Sequence, residues 1–173
     1  MDHSPFTPYF FVVAYITSNV LALLSILAAF KAPNLARLFF LLLFGWACWF
    51  NSSMAVDTPW AYQDYADTAI PLYKRFILGA FEAIITPMVL FIAVCQGLIA
   101  ISMLLKGKIF RIGCWGGVIF GLAVAPLGTY AAFPATLSMA IALYVLQQRH
   151  NNLFLWVLRH RSRPSSNLAS TSP

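Results

Sequence analysis

GCWGGVIFGLAVAPLGTYAAFPATLSMAIALYVLQQ, residues 113–148, decides how often this chain crosses a membrane. The stretch carries no Asp, Glu, Lys or Arg over its 36 residues. That exceeds the roughly 20 residues that cross hydrocarbon as one helix, and it is too short for two crossings with a long loop. Pro126, Gly128 and Pro134 break it near the middle. The spacing therefore predicts a hairpin of two short arms, 113–128 and 132–148, turning between Leu127 and Pro134.

The composition places the rest of the chain in the same solvent. Charged residues make up 9% and hydrophobic ones 61%, with a mean hydropathy of +0.78. A soluble domain carries about a quarter charged residues and needs a largely polar exterior. Lipid accommodates the excess apolar surface. Upstream of the hairpin, the apolar runs predict spans over 8–30, 38–55 and 76–105. The first is read as a retained helix, because Met1-Asp2-His3 carries no Lys or Arg and Lys31 follows the run, the reverse of a signal peptide. The third is long for one crossing, so tilt or a kink at Pro87 is expected. Between the second and third lies the polar connector AVDTPWAYQDYADTAIPLYKR, residues 55–75, in which Trp60, Asp64 and Asp67 share a face and predict a short interfacial helix.

Five spans place the N-terminus outside and the turns at 31–37 and 106–111 inside, with the tail after Gln148. Lys31, Arg37, Lys106, Lys108, Arg111, Arg149, Arg159, Arg161 and Arg163 then lie inside, against only Lys74 and Arg75 outside. This is the positive-inside asymmetry, and four spans would break it. The same placement argues against a nucleic-acid partner for the net charge of +6, since no continuous basic face with stacking aromatics can be drawn. The fold class expected is an all-α membrane protein: an N-terminal helix plus a four-helix bundle over 1–150. Residues 151–173 form a basic interfacial segment from Asn152 to Arg161, followed by a disordered tail.

Little in the sequence carries recognisable chemistry. Cys48, Cys95 and Cys114 lie far apart without metal spacing, and His3, His150 and His160 fall outside the spans, against a haem held within the bilayer. No cofactor is named. Gly113, Gly117, Gly121 and Ala125 recur every four residues, a ladder that lets helices approach closely within the chain, between copies, or around a cofactor. A second small and polar stripe runs through Gly79, Glu82, Ala83, Thr86, Ala93, Gln96, Gly97 and Ala100. Glu82 is the one acidic residue inside an expected span, about two turns below its outer end, which makes it a candidate site for a proton, a cation or a quinone head group. The plainer reading is an ion pair with Lys74 or Arg75. Gln96 either extends that polar track or bonds to another helix. Asn51 opens a glycosylation triplet close to the membrane, and it could instead join Glu82, Asp64 and Asp67 in an outward-facing polar pocket.

The layout from Arg37 to Gln148 resembles the DoxX-like group of small bacterial membrane proteins. The resemblance rests on ARLFFLLLFGWACWFN, the connector ending PLYKRF, Gln96 leading into LLKGKIFRIG, and APLG at 125–128. It implies a four-helix membrane bundle in the bacterial inner membrane and, for some relatives, a subunit role in quinone-linked oxidoreductases. The chain departs from that pattern by an extra N-terminal helix and by lacking a recognisable redox ligand. Two function classes follow. One is a non-catalytic membrane subunit or accessory protein that uses its small-residue faces to hold a partner or a second copy. The other is a small transporter or quinone-linked component centred on Glu82.

Overall fold

Proline in the first position of a helix costs nothing, because its missing N–H would have no partner there, and its fixed φ suits the turn. Four elements of this chain start that way. A computed structural model describes residues 8–149, and within them every element is helical: α1 (Pro8–Lys31), α2 (Pro33–Asp57), a 3₁₀ segment (Pro59–Asp67), α3 (Pro71–Ile77), a short turn (Glu82–Ile84), α4 (Ile85–Ser102), α5 (Gly107–Val124), two further turns (Ala125–Leu127 and Thr129–Ala131) and α6 (Ala135–Arg149). The expected amphipathic stretch at 152–161 and the tail at 164–173 lie outside the described residues.

Four stretches are long and apolar enough to cross a membrane: Phe11–Lys31, Pro33–Asp57, Glu82–Ser102 and Gly107–Leu127. Twenty-one helical residues span about 30 Å, the thickness of the hydrocarbon layer. Leu42, Trp49, Phe91, Leu98, Ile112 and Ile119 all stand more than half exposed, an exterior suited to lipid and not to water. The five long helices close into a ring: α1 lies beside α2, α2 beside α4, α4 beside α5, α5 beside α6, and α6 returns to α1. α6, at 15 described residues, is the shortest member.

Each long helix runs against the one before it, so charge separates by end. Lys31, Arg37, Lys106, Lys108, Arg111 and Arg149 gather at one end, where no acidic residue lies among the described residues. Asp57, Asp64, Asp67 and Glu82 share the other with Lys74 and Arg75.

The hairpin arms appear where the prolines put them, as α5 and α6, with boundaries at 107–124 and 135–149 in place of 113–128 and 132–148. The second span is longer than expected: α2 starts at Pro33, and the supposed basic turn at 31–37 shrinks to Ala32. The third span is not one helix over 76–105. α3 ends at Ile77, and the chain turns through Leu78–Phe81 before α4 starts at Ile85. Pro87 falls in the first turn of α4, where proline breaks no hydrogen bond, so the bend sits upstream of it. The expected interfacial helix at 60–67 is the 3₁₀ segment, with Trp60, Asp64 and Asp67 exposed.

Arg37 departs most from expectation. The sequence places it among the cations of an inside turn, yet it is 1% exposed, the only charged residue in the core among the described residues. α4 ends at Ser102, leaving carbonyls with no partner in the helix. Arg37 supplies one. Its Nε donates to the Met103 oxygen at 2.9 Å and its Nη2 to the same oxygen at 2.6 Å, and Nη2 also reaches the Leu105 oxygen. The guanidinium lies 4.4 Å from the centre of the Phe110 ring, which puts a cation over a π face on α5. One side chain thereby ties α2, the end of α4 and the start of α5. Replacing it with methionine would preserve volume and leave these carbonyls uncapped, at a cost of about 2–4 kcal/mol. Arg37→Met is expected to melt well below the wild type in detergent, with Arg37→Lys in between. A methionine variant as stable as the parent would show that the cap is dispensable.

Candidate functional site

Three helical elements meet at the acidic end, and two of the residues expected there come together. The Asn51 side-chain amide on α2 donates to Gln96 Oε1 on α4 at 2.9 Å. Tyr62, on the 3₁₀ segment, donates its hydroxyl to Asn51 Oδ1 at 2.8 Å. Asn51 thus gives one hydrogen bond and accepts another, and Gln96 is 2% exposed. Next to this chain, Thr86 Oγ1 donates to the Ala55 carbonyl at 3.0 Å, a second polar tie between α4 and α2. The Gly97 position brings α4 close to α2, since a Cβ there would stand 3.1 Å from Cys48 Sγ.

No pattern in the sequence singles out Tyr62. It lies 11 residues beyond Asn51, in a segment whose short 3₁₀ turns fold it back over the bundle. Its ring stacks on Tyr65, centroids 6.2 Å apart. Burial pushes the Tyr62 hydroxyl up to about 12, and the neighbouring Tyr65 adds to that; burial raises Tyr65 as well. Because the folded value exceeds that of a free tyrosine near 10, the contribution is intact below pH 10 and fades as pH climbs to 12. Absorbance at 295 nm should show tyrosine still titrating near pH 12, and Tyr62→Phe should reduce the amplitude of that late component. A titration complete by pH 11 in the wild type would contradict this environment.

The other expected members stay apart. Asp64, Asp67 and Glu82 are exposed, and among the described residues none hydrogen-bonds to the Asn51–Gln96–Tyr62 chain. Glu82 does not sit within a helix two turns deep. It opens the turn leading into α4, at the rim, and among the described residues no ion pair joins it to Lys74 or Arg75. It lines an open crevice of about 390 Å³ with Pro59, Trp60, Gln63, Ala83, Ile85, Thr86 and Pro87.

The rest of the acidic end is held through backbone carbonyls. The Ile70 N–H donates to the Pro126 carbonyl at 3.0 Å, Thr68 Oγ1 to the Leu127 carbonyl at 2.7 Å, and the Tyr73 hydroxyl to the Ala123 carbonyl at 3.0 Å. Gly128 has φ +82°, and a Cβ there would lie 2.2 Å from the Thr68 oxygen, so only glycine fits between connector and hairpin.

The glycine ladder is used within the chain. A Cβ on Gly113 would stand 2.4 Å from Ser102 Cβ on α4, one on Gly117 would stand 2.5 Å from Leu143 Cδ1 on α6, and one on Gly121 would stand 2.8 Å from the Thr136 oxygen. Gly113, Gly117 and Gly121 are buried, and Ala125, in the turn after α5, is partly so. That face of α5 is filled by α4 and α6 and is not open to a partner. Among the described residues no cluster of three or more His, Cys, Asp or Glu has metal-binding geometry. Compared with protein-family models, with curated proteins and with solved structures, the chain has no match.

Proposed function

We propose that this chain is a non-catalytic membrane subunit or accessory protein of the DoxX-like type, crossing a bacterial inner membrane five times with its basic end in the cytoplasm. The observation that carries this reading is where the polar and small side chains go. Asn51, Gln96 and Tyr62 bond to one another, Arg37 bonds to backbone, and the α5 glycines seat neighbouring helices. What faces outward along the spans is apolar: Phe91, Val94 and Leu98 on α4, Ile112 and Ile119 on α5. A subunit that associates within the bilayer presents such a surface.

The orientation rests on the six cations gathered at one end, since cytoplasmic loops accumulate Lys and Arg. The fifth crossing rests on α6 packing against both α1 and α5. A periplasmic–cytoplasmic reporter fused after Gln148 should report the cytoplasm, and the same reporter in the 59–67 segment should report the outside. A fusion at Gln148 that reads as external would remove the fifth span.

The subunit reading predicts a lateral neighbour. A photocrosslinking residue at Phe91 or Leu98 should capture one discrete membrane protein in native membranes, whereas one at Tyr144, on α6, serves as the comparison face. Absence of any adduct, combined with transport or quinone reduction by the purified chain in liposomes, would replace this reading with the catalytic one.

A further inference from the structure

The crevice at the acidic rim has walls of unlike chemistry. Trp60, 64% exposed, contributes an indole from the 3₁₀ segment, and Gln63 on the same segment contributes an amide. Glu82, from the turn that leads into α4, contributes a carboxylate to the same lining, along with Pro59 and Pro87. Each residue has an ordinary explanation on its own. A tryptophan at a membrane boundary fits the interfacial belt, and a carboxylate at the start of α4 is favoured by the helix dipole. Neither explanation requires the two to share one concavity with an amide. An aromatic face together with a carboxylate is the chemistry that recognises an ammonium group, through cation–π attraction on one side and charge on the other.

The surroundings decide the source of that ammonium. The crevice opens where the Glu82–Ser102 span begins, and Leu78, Ile84 and Val56, all exposed and apolar, are near it in the chain. Lys74 and Arg75, on the α3 helix that packs against the 3₁₀ segment, add exposed cations at the same end. Carboxylate in the crevice, cations on the neighbouring helix and exposed apolar side chains close by in the chain match the ammonium, phosphate and acyl chains of a zwitterionic phospholipid. We propose that the Trp60–Glu82 crevice binds the ammonium head group of such a lipid, ethanolamine or choline, and so fixes this end of the bundle in its leaflet.

Native mass spectrometry of the full chain released from detergent with added lipid tests the proposal. The wild type should retain phosphatidylethanolamine or phosphatidylcholine over phosphatidylglycerol by about fivefold, the scale of a contact at an exposed aromatic site. Glu82→Gln and Trp60→Ala should each bring that ratio to about one, with melting temperatures unchanged. A ratio that stays the same in Glu82→Gln would overturn the site. A measurement on the wild type avoids any folding defect in the variants: excess tetramethylammonium chloride should displace the retained lipid where sodium chloride at equal ionic strength does not. Equal displacement by both salts would also overturn it. Tight binding of free phosphoethanolamine with no lipid preference would assign the crevice to a soluble amine and overturn the lipid assignment.

Discussion

A helix that ends inside a dry bundle leaves carbonyls that water cannot reach, and an unanswered carbonyl in that setting costs more than most contacts return. α4 ends in this way, and Arg37 answers it from the next helix but one in the chain. A planar guanidinium suits the task, since its fork of donors reaches two carbonyls while its face lies on the Phe110 ring. The position of that side chain sets how close the start of α2 comes to the α4–α5 turn. From there the register of α2 on α4 follows, down to Asn51 opposite Gln96 at the far end. The two polar contacts act as pins at either end of one helix pair, and apolar packing fills the length between them.

Hydrophobic drive between helices is weak in lipid, so close approach and shared hydrogen bonds decide which helices pair. α5 approaches through glycine: at Gly113, Gly117 and Gly121 there is no room for a Cβ. Gly45, in the middle of α2, shows the contrast, because a Cβ there would meet nothing within 4 Å. Spacing of four along α5 therefore encodes helix contact, whereas an isolated glycine on α2 does not. The ring closes because α6, parallel to α1, returns from the hairpin, and Arg149 lies 4.7 Å from the centre of the Phe30 ring where the two helices end.

Much of this was legible in the sequence, and the parts that were not share a cause. Pro126, Gly128 and Pro134 marked the hairpin because backbone chemistry at those residues is local. The glycine spacing marked the packed face of α5 for the same reason. Gln96 stands as a polar residue on the inner stripe, and its bond to Asn51 is what that position allows. Arg37, however, looks like every other cation near a span end, and only the position of a carbonyl 66 residues away makes it a cap. Tyr62 was missed because its role depends on a 3₁₀ path that folds back over α2. The sequence sets Glu82 too deep because the apolar run continues unbroken across Leu78–Phe81, where the helix does not. The break there contains Gly79, whose added Cβ would stand 2.9 Å from the Arg75 oxygen, and no proline.

The rim position of Glu82 changes what the acidic end can do. A carboxylate two turns deep would need a proton or a counter-ion within the bilayer, and its burial would mark a transport path or a redox step. A carboxylate at the rim needs neither, because water and head groups reach it. The polar groups of α2 and α4 below it are already engaged: Asn51 with Gln96 and Tyr62, Thr86 with the Ala55 carbonyl. A polar path from rim to core would have to break that chain, at the cost of leaving Gln96 buried without its partner. The arrangement therefore separates two tasks. The interior chain holds three elements in register, and the exposed rim, with Trp60 and Glu82 across one crevice, meets whatever lies at the membrane surface.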